Sequence, residues 1–128
     1  SAERMIDDVQ FGSKIAQIEI ELNALEITNM RVIFADVERR TPGPEASILK
    51  VRGTEIAQRI SELTIDLFGA ASLHSQHESA AARLVLQDGT FNAAANASAQ
   101  YMNLRKLSIF GGSNEIQRNI IAQMVLGL

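Results

Sequence analysis

The first 39 residues carry apolar side chains at helical spacing on two nearly opposite sides, which predicts a long α-helix over residues 3–39. One stripe comprises Ile15, Ile18, Leu22, Leu25 and Val32, and the other comprises Ile20, Ala24 and Ile27. A helix that is apolar on two sides usually has two neighbours. Two explanations stay open: the helix lies at the centre of a core, or the second stripe meets another domain or subunit.

Thr41-Pro-Gly-Pro44 is the clearest break in the chain. Two prolines within three residues stop one helix, and Pro44 suits the first turn of the next. We predict that this second helix runs to about residue 68 and that Gly69 terminates it. Its expected core stripe consists of Leu49, Ile56, Ile60, Leu63 and Leu67.

Two more helices are predicted, an alanine-rich one over residues 91–107 and an apolar-faced one over residues 113–125. Between the second helix and the alanine-rich helix, residues 79–86 form either a short helix or a loop, followed by a turn at residues 88–90. No segment alternates as a strand does. We therefore predict one all-α domain over residues 1–128, an antiparallel up-down four-helix bundle.

The composition excludes several partners. The net charge of −3 offers no basic surface for nucleic acid, and no apolar run approaches the ~20 residues of a membrane span. No signal peptide is visible, and we expect a cytoplasmic protein without membrane contacts. The absence of cysteine rules out a disulfide framework and a cysteine zinc site.

His74 and His77 have the spacing of a metal-binding pair on a helix, and Glu78 is the only further ligand close in sequence. A metal site needs more ligands, and the Glu-x-x-His pairs of di-iron bundles are missing. We therefore expect surface histidines and no metal.

The segment from Ile109 to Arg118 ends an apolar run in two glycines and then opens an amphipathic helix. Gly111 and Gly112 let the backbone turn freely, Ser113 is a good N-cap, and Glu115 suits the first turn. Such a start is either an ordinary turn or a place where a ligand approaches the backbone.

This segment reads Ile-Phe-Gly-Gly-Ser-Asn-Glu-Ile-Gln-Arg. The string closely resembles the last helix of the acyl-CoA dehydrogenases. Three more segments resemble that family's C-terminal domain in the same order. They are residues 18–26, residues 42–50 followed by Thr54-Glu-Ile, and Leu67-Phe68-Gly69. Family members are about three times longer, so we expect this chain to be a C-terminal fragment of a flavoprotein.

The resemblance implies specific roles at the C-terminal segment. Many members place a catalytic glutamate directly before the Gly-Thr or Gly-Ser of this motif, where this chain has Gly111, which cannot accept a proton. The family pattern places Gly112 near the acyl thioester and Ser113, Asn114 and Glu115 against FAD. It also suggests that Arg118 ties the last helix to a neighbouring element.

The resemblance also implies a second flavin contact, in which Phe68, Gly69 and Ala70 hold the flavin nucleotide of a neighbouring subunit. Two departures count against it. Many members have glutamine where Asp66 stands and glycine where Ala70 stands, and an aspartate near a pyrophosphate is electrostatically unfavourable. Without the family, the same three residues are an ordinary helix end.

The resemblance thus implies an FAD-dependent acyl-CoA dehydrogenase of fatty acid metabolism, which oxidises the Cα–Cβ bond of an acyl-CoA. It would pass electrons to an electron-transfer flavoprotein and form a homo- or hetero-oligomer. Some branches carry the base on an earlier helix, upstream of this segment. The alternative is a non-catalytic structural subunit of a heteromeric complex, since one subunit of some relatives lacks the catalytic residues.

Overall fold

The computed structural model describes residues 7–38, 43–73 and 90–128, without the side chains of residues 36 and 90–92. Within these ranges the chain forms four α-helices and no strand. They are α1 (Val9–Val37), α2 (Glu45–Phe68), α3 (Thr90–Leu104) and α4 (Asn114–Leu126). Short 3₁₀ helices follow α2 at Gly69–Leu73 and α3 at Arg105–Ser108.

The predicted helix ends agree with the structure where local chemistry sets them. The carbonyl of Pro44 accepts from the amide of Ile48 at 3.0 Å, so Pro44 opens α2 as expected. Gly69 ends α2 with φ of 52°, a left-handed conformation that suits glycine. The start of α1 differs from the prediction, which placed it near residue 3. The described helix begins at Val9, where Asp8 Oδ1 accepts from the amides of Gln10 and Phe11 at 2.7 and 3.1 Å and caps the helix.

The described residues fall into two compact units, and α2 contributes residues to both. The first unit comprises the described residues 7–38, 43–57 and 106–128, so it contains α1, the first half of α2, and α4. In it, Arg52 Nη2 lies 3.0 Å from Glu21 Oε2, and Arg31 lies 3.9 Å from Glu45. Rising residue numbers in α1 therefore meet falling numbers in α2, which makes these two helices antiparallel.

The second unit comprises the described residues 58–73 and 90–105. The buried side chains among them are small and belong to Ser61, Ser72, Ala94, Ala95 and Ala97. The 3₁₀ helix Gly69–Leu73 packs against α3, and small residues permit such close approach of backbones. The predicted turn at residues 88–90 and the uncertain segment 79–86 lie outside the described residues, except for Thr90 at the start of α3.

The apolar stripes divide into covered and uncovered parts. Ile18 of the first α1 stripe and Ile56 of α2 are buried, whereas Ile20 and Ile27 of the second α1 stripe are 64% and 62% exposed. Leu22, Ile60 and Leu67 are also more exposed than the stripes predict. Periodicity identifies an apolar face but not the element that covers it. Among the described residues, none covers the second α1 stripe.

None of the helices in the described part of the chain is both long enough and apolar enough to span a membrane.

Candidate functional site

The turn between α3 and α4 depends on two consecutive glycines. Gly111 and Gly112 have φ of 70° and 85°, which L-residues with a side chain rarely adopt. A Cβ at Gly111 would meet no atom within 4 Å, whereas one at Gly112 would lie 2.7 Å from Gln117 Nε2. The backbone conformation therefore favours glycine at both positions, whereas the contact at Gly112 involves only the end of the flexible Gln117 side chain, which can shift.

Ser113 is the N-cap of α4, as the sequence predicts. Its backbone is extended, its side chain accepts from the amide of Ile116 at 3.4 Å, and its carbonyl accepts from the amide of Gln117 at 2.9 Å. Glu115 lies in the first turn of the helix and is exposed. Its own backbone amide, and then the Ser113 hydroxyl, hold the pKa of the Glu115 carboxyl below its ordinary value.

Asn114 is 5% exposed, and its side chain is held inside the first unit. Its Oδ1 accepts from Lys50 Nζ at 2.8 Å, and its Nδ2 donates to Thr54 Oγ1 at 3.0 Å. The Thr54 hydroxyl donates in turn to the Val51 carbonyl at 2.9 Å. These bonds fix the first residue of α4 against α2.

Arg118 ties α4 to α2, which agrees with the role expected for it. Arg118 Nη2 lies 2.7 Å from Glu55 Oε1, and Glu55 Oε2 lies 2.8 Å from Arg52 Nη1. Because Arg52 also contacts Glu21, a chain of four charged side chains links α4, α2 and α1. Because the arginines are about half exposed, solvent screens these ion pairs, and they restrain α4 only weakly.

The second predicted flavin contact lies in the second unit, at the end of α2. Phe68 is half-buried, whereas Gly69 and Ala70 are exposed, and Asp66 lies on the surface close by. Ser72 Oγ donates to the Gly69 carbonyl at 2.7 Å, and Ser98 Oγ donates to the Ser72 carbonyl. The turn is therefore braced from within its unit, and its exposed backbone is free of steric cover at Gly69.

Arg105 is the organising cation of the second unit, a role that the sequence reasoning missed. Its guanidinium lies over the Tyr101 ring at 4.4 Å and donates to Glu62 at 3.0 Å, to Ser61 at 3.1 Å and to the Gln58 carbonyl at 3.2 Å. The sequence contains a signal for part of these contacts, because Gln58 and Ser61 belong to a polar stripe at helical spacing along α2. The stripe begins with Lys50 and Thr54, the partners of Asn114.

No group of three histidine, cysteine, aspartate or glutamate side chains suited to a metal occurs among the residues that the structure describes. His74, His77 and Glu78, the set weighed above as a metal site, lie outside those residues.

Comparison with known proteins identifies the class. The sequence model of the acyl-CoA dehydrogenase C-terminal domain matches residues 2–126, and the chain belongs to the acyl-CoA dehydrogenase family. The predicted family and the predicted all-α class are confirmed.

Individual relatives support the same assignment. The chain is 27% identical over 98% of its length to acyl-CoA dehydrogenase FadE26 of Mycobacterium tuberculosis, and 36% identical over 95% to acyl-CoA dehydrogenase IpdE1 of Mycolicibacterium smegmatis. It spans 30% and 26% of those proteins. One chain in the crystal structure of the ChsE4-ChsE5 complex from Mycobacterium tuberculosis matches 98% of this chain at 30% identity. Its TM-score is 0.64, and 29% of that chain is covered.

Proposed function

We propose that this chain is the C-terminal domain of an FAD-dependent acyl-CoA dehydrogenase that catalyses α,β-dehydrogenation of an acyl-CoA thioester. The observation that carries the proposal is the turn at Gly111 and Gly112. In a chain of this family, two left-handed glycines lead into a serine-capped helix at the position that the family motif predicts.

The exposed backbone of this turn supports an approach by a flavin and an acyl thioester. Gly111 and Gly112 are exposed and carry no side chain, Ser113 is half-buried and Glu115 is exposed. Asn114 would act through its backbone, because its side chain is occupied by Lys50 and Thr54. FAD would accept the hydride from the β-carbon. These residues would position the thioester and the flavin ring.

The second predicted flavin contact, at the end of α2, suits a flavin nucleotide less well. The exposed Gly69 and Ala70 could approach a nucleotide of a neighbouring subunit, but the Asp66 carboxylate close by opposes a pyrophosphate. We therefore assign the stronger part of the proposal to the double-glycine turn. Electron transfer to an electron-transfer flavoprotein, oligomer formation and cytoplasmic location complete the proposed function.

The alternative is a structural subunit without dehydrogenase activity in a heteromeric complex. The observation in its favour is Gly111, since the position that holds the base in many members carries no side chain and adopts φ of 70°. The similar solved structure is itself a complex of two named components.

The experiment that separates these functions uses the purified full-length protein. The visible absorption spectrum gives the FAD content, and dye-coupled oxidation of a panel of acyl-CoA thioesters gives the activity. Bound FAD with turnover supports the dehydrogenase, and turnover excludes the silent subunit. Absence of both FAD and turnover in a stably assembled complex favours the structural subunit.

A further inference from the structure

Lys50 joins the two ends of the segment that carries the double-glycine turn. Its ammonium donates to the Leu107 carbonyl at 3.0 Å and to Asn114 Oδ1 at 2.8 Å. Leu107 lies in the 3₁₀ helix before the turn, and Asn114 is the first residue of α4. One side chain of α2 thus fixes where the turn begins and where it ends.

The bonds around Lys50 have a consistent direction. The ammonium donates to Asn114, Asn114 donates to Thr54, and Thr54 donates to the Val51 carbonyl. A charged donor makes the first bond the strongest kind in this chain of bonds. Because Asn114 is buried, loss of the ammonium leaves a buried oxygen with a poorer partner.

The turn itself needs such a restraint. The residues between Leu107 and Asn114 include two glycines, which sample more conformations than any other residue. Gln117 Nε2 reaches the Gly111 carbonyl only at 3.5 Å, a weak bond. The two bonds from Lys50 are firm attachments of this segment to α2, beside the bond from Asn114 to Thr54.

We propose that Lys50 is a positioning residue, whose ammonium holds the Gly111-Gly112 backbone and the start of α4 in the geometry required by the reacting groups. The consequence for catalysis rests on the proposed function, whereas the restraint on the turn does not. In a dehydrogenase, loss of the restraint lowers kcat more than it raises KM, because orientation at the reacting centre suffers most.

The test uses the purified full-length protein and four variants. Lys50→Met retains a long unbranched side chain without donors, and Lys50→Gln retains polarity but is too short to reach both acceptors. Lys50→Arg retains a cation with several donors. Arg52→Met is the matched control, because it removes a cation two residues along α2 whose partners are Glu21 and Glu55.

Two readouts are compared at equal protein concentration. Amide hydrogen exchange across residues 108–116 reports the restraint, and the kcat and KM of dye-coupled turnover report its effect on the reaction. In Lys50→Met we expect faster exchange in this segment and a fall in kcat of about 10-fold, because a displacement of ~1 Å can cost ~10²-fold. Lys50→Arg should restore part of the protection from exchange and part of kcat. Arg52→Met should leave both the exchange rate of this segment and kcat unchanged.

Unchanged exchange across residues 108–116 in Lys50→Met, or equal acceleration in Arg52→Met, overturns the inference. Faster exchange with kcat and KM equal to those of the parent overturns its catalytic part. If Lys50→Met does not fold, the same readouts on Lys50→Gln decide the question. A parent protein without FAD and turnover contradicts the proposed function instead, and hydrogen exchange still decides whether Lys50 holds the turn.

Discussion

Gly111 is the single residue on which the two functional alternatives diverge. Its φ of 70° means that any side chain there costs about 1–2 kcal/mol of backbone strain. The space around its Cβ direction is open, so strain rather than collision sets that cost. A carboxylate introduced at this position is therefore best judged against an uncharged side chain of the same shape.

We predict that Gly111→Glu in the full-length protein lowers the activity of a dehydrogenase that has its base upstream, because two nearby carboxylates repel and one pKa rises. In a silent subunit that binds FAD and acyl-CoA, the same change should create some activity, since it supplies a base. Dye-coupled turnover is the measurement. Gly111→Gln carries the same strain without the charge, so equal turnover in the two variants would contradict any role of the carboxylate.

Glu115 gives a pH-dependent prediction. Since its pKa is lowered in the folded chain, Glu115 contributes stability that is fully present above its unfolded pKa of ~4.3. This contribution is lost as the pH falls through the lower folded value. Urea unfolding should find Glu115→Gln less stable than the parent at pH 7 and equal to it at a pH below the folded pKa. A difference that persists in acid would contradict the assignment.

At the scale of elements, the ion pair between Arg118 and Glu55 should contribute to the attachment of α4 to α2. Arg118 is 56% exposed on its side chain, so its pair with Glu55 is screened by solvent and worth about 0.2–1 kcal/mol. We expect Arg118→Met to lower the free energy of unfolding by that amount, and less at high salt. Urea unfolding of Arg118→Met, Glu55→Gln and the double variant measures the coupling. Strictly additive changes in the free energy of unfolding would contradict a coupling between Arg118 and Glu55.

The helix ends that the sequence predicts correctly are set by neighbours along the chain. Ser113 caps α4, Pro44 opens α2 and Gly69 ends it, and each effect needs only the next few residues. The bonds of Lys50 could not be predicted in this way, because they join residues 57 and 64 positions apart. The polar stripe on α2 indicates that partners exist but not which ones they are.

The covered faces were harder to predict than the helices themselves. Val51 is buried although it lies outside the predicted stripe of α2, whereas Ile60 and Leu67 within that stripe are exposed. The site residues Gly112, Ser113, Asn114, Glu115, Phe68, Gly69 and Ala70 come from the family resemblance, and their ligand roles stay predictions. Residue spacing alone predicts an ordinary turn at Gly111 and Gly112. The positive φ angles of both residues show why glycine is favoured there.

At the scale of the whole molecule, the 128-residue chain spans 30% or less of the relatives that it matches. We predict that the isolated chain is strongly helical by circular dichroism but does not oxidise acyl-CoA, because most of the length of those relatives has no counterpart in these 128 residues. Dye-coupled turnover with added FAD is the measurement. A yellow, active preparation of these 128 residues would contradict the prediction.

The exposed stripe on α1 predicts self-association of the isolated chain. Ile20, Ala24 and Ile27 form an exposed apolar face, and burial of such a face stabilises a dimer or larger oligomer. Sedimentation velocity across a concentration series should show association of the parent chain and a shift toward monomer in Ile20→Lys/Ile27→Lys. Asn29→Lys is the control, because Asn29 is exposed nine residues beyond Ile20, on the opposite side of the helix. A parent chain that stays monomeric at high concentration would contradict self-association. Equal dissociation in Asn29→Lys would show that a surface other than this stripe mediates it.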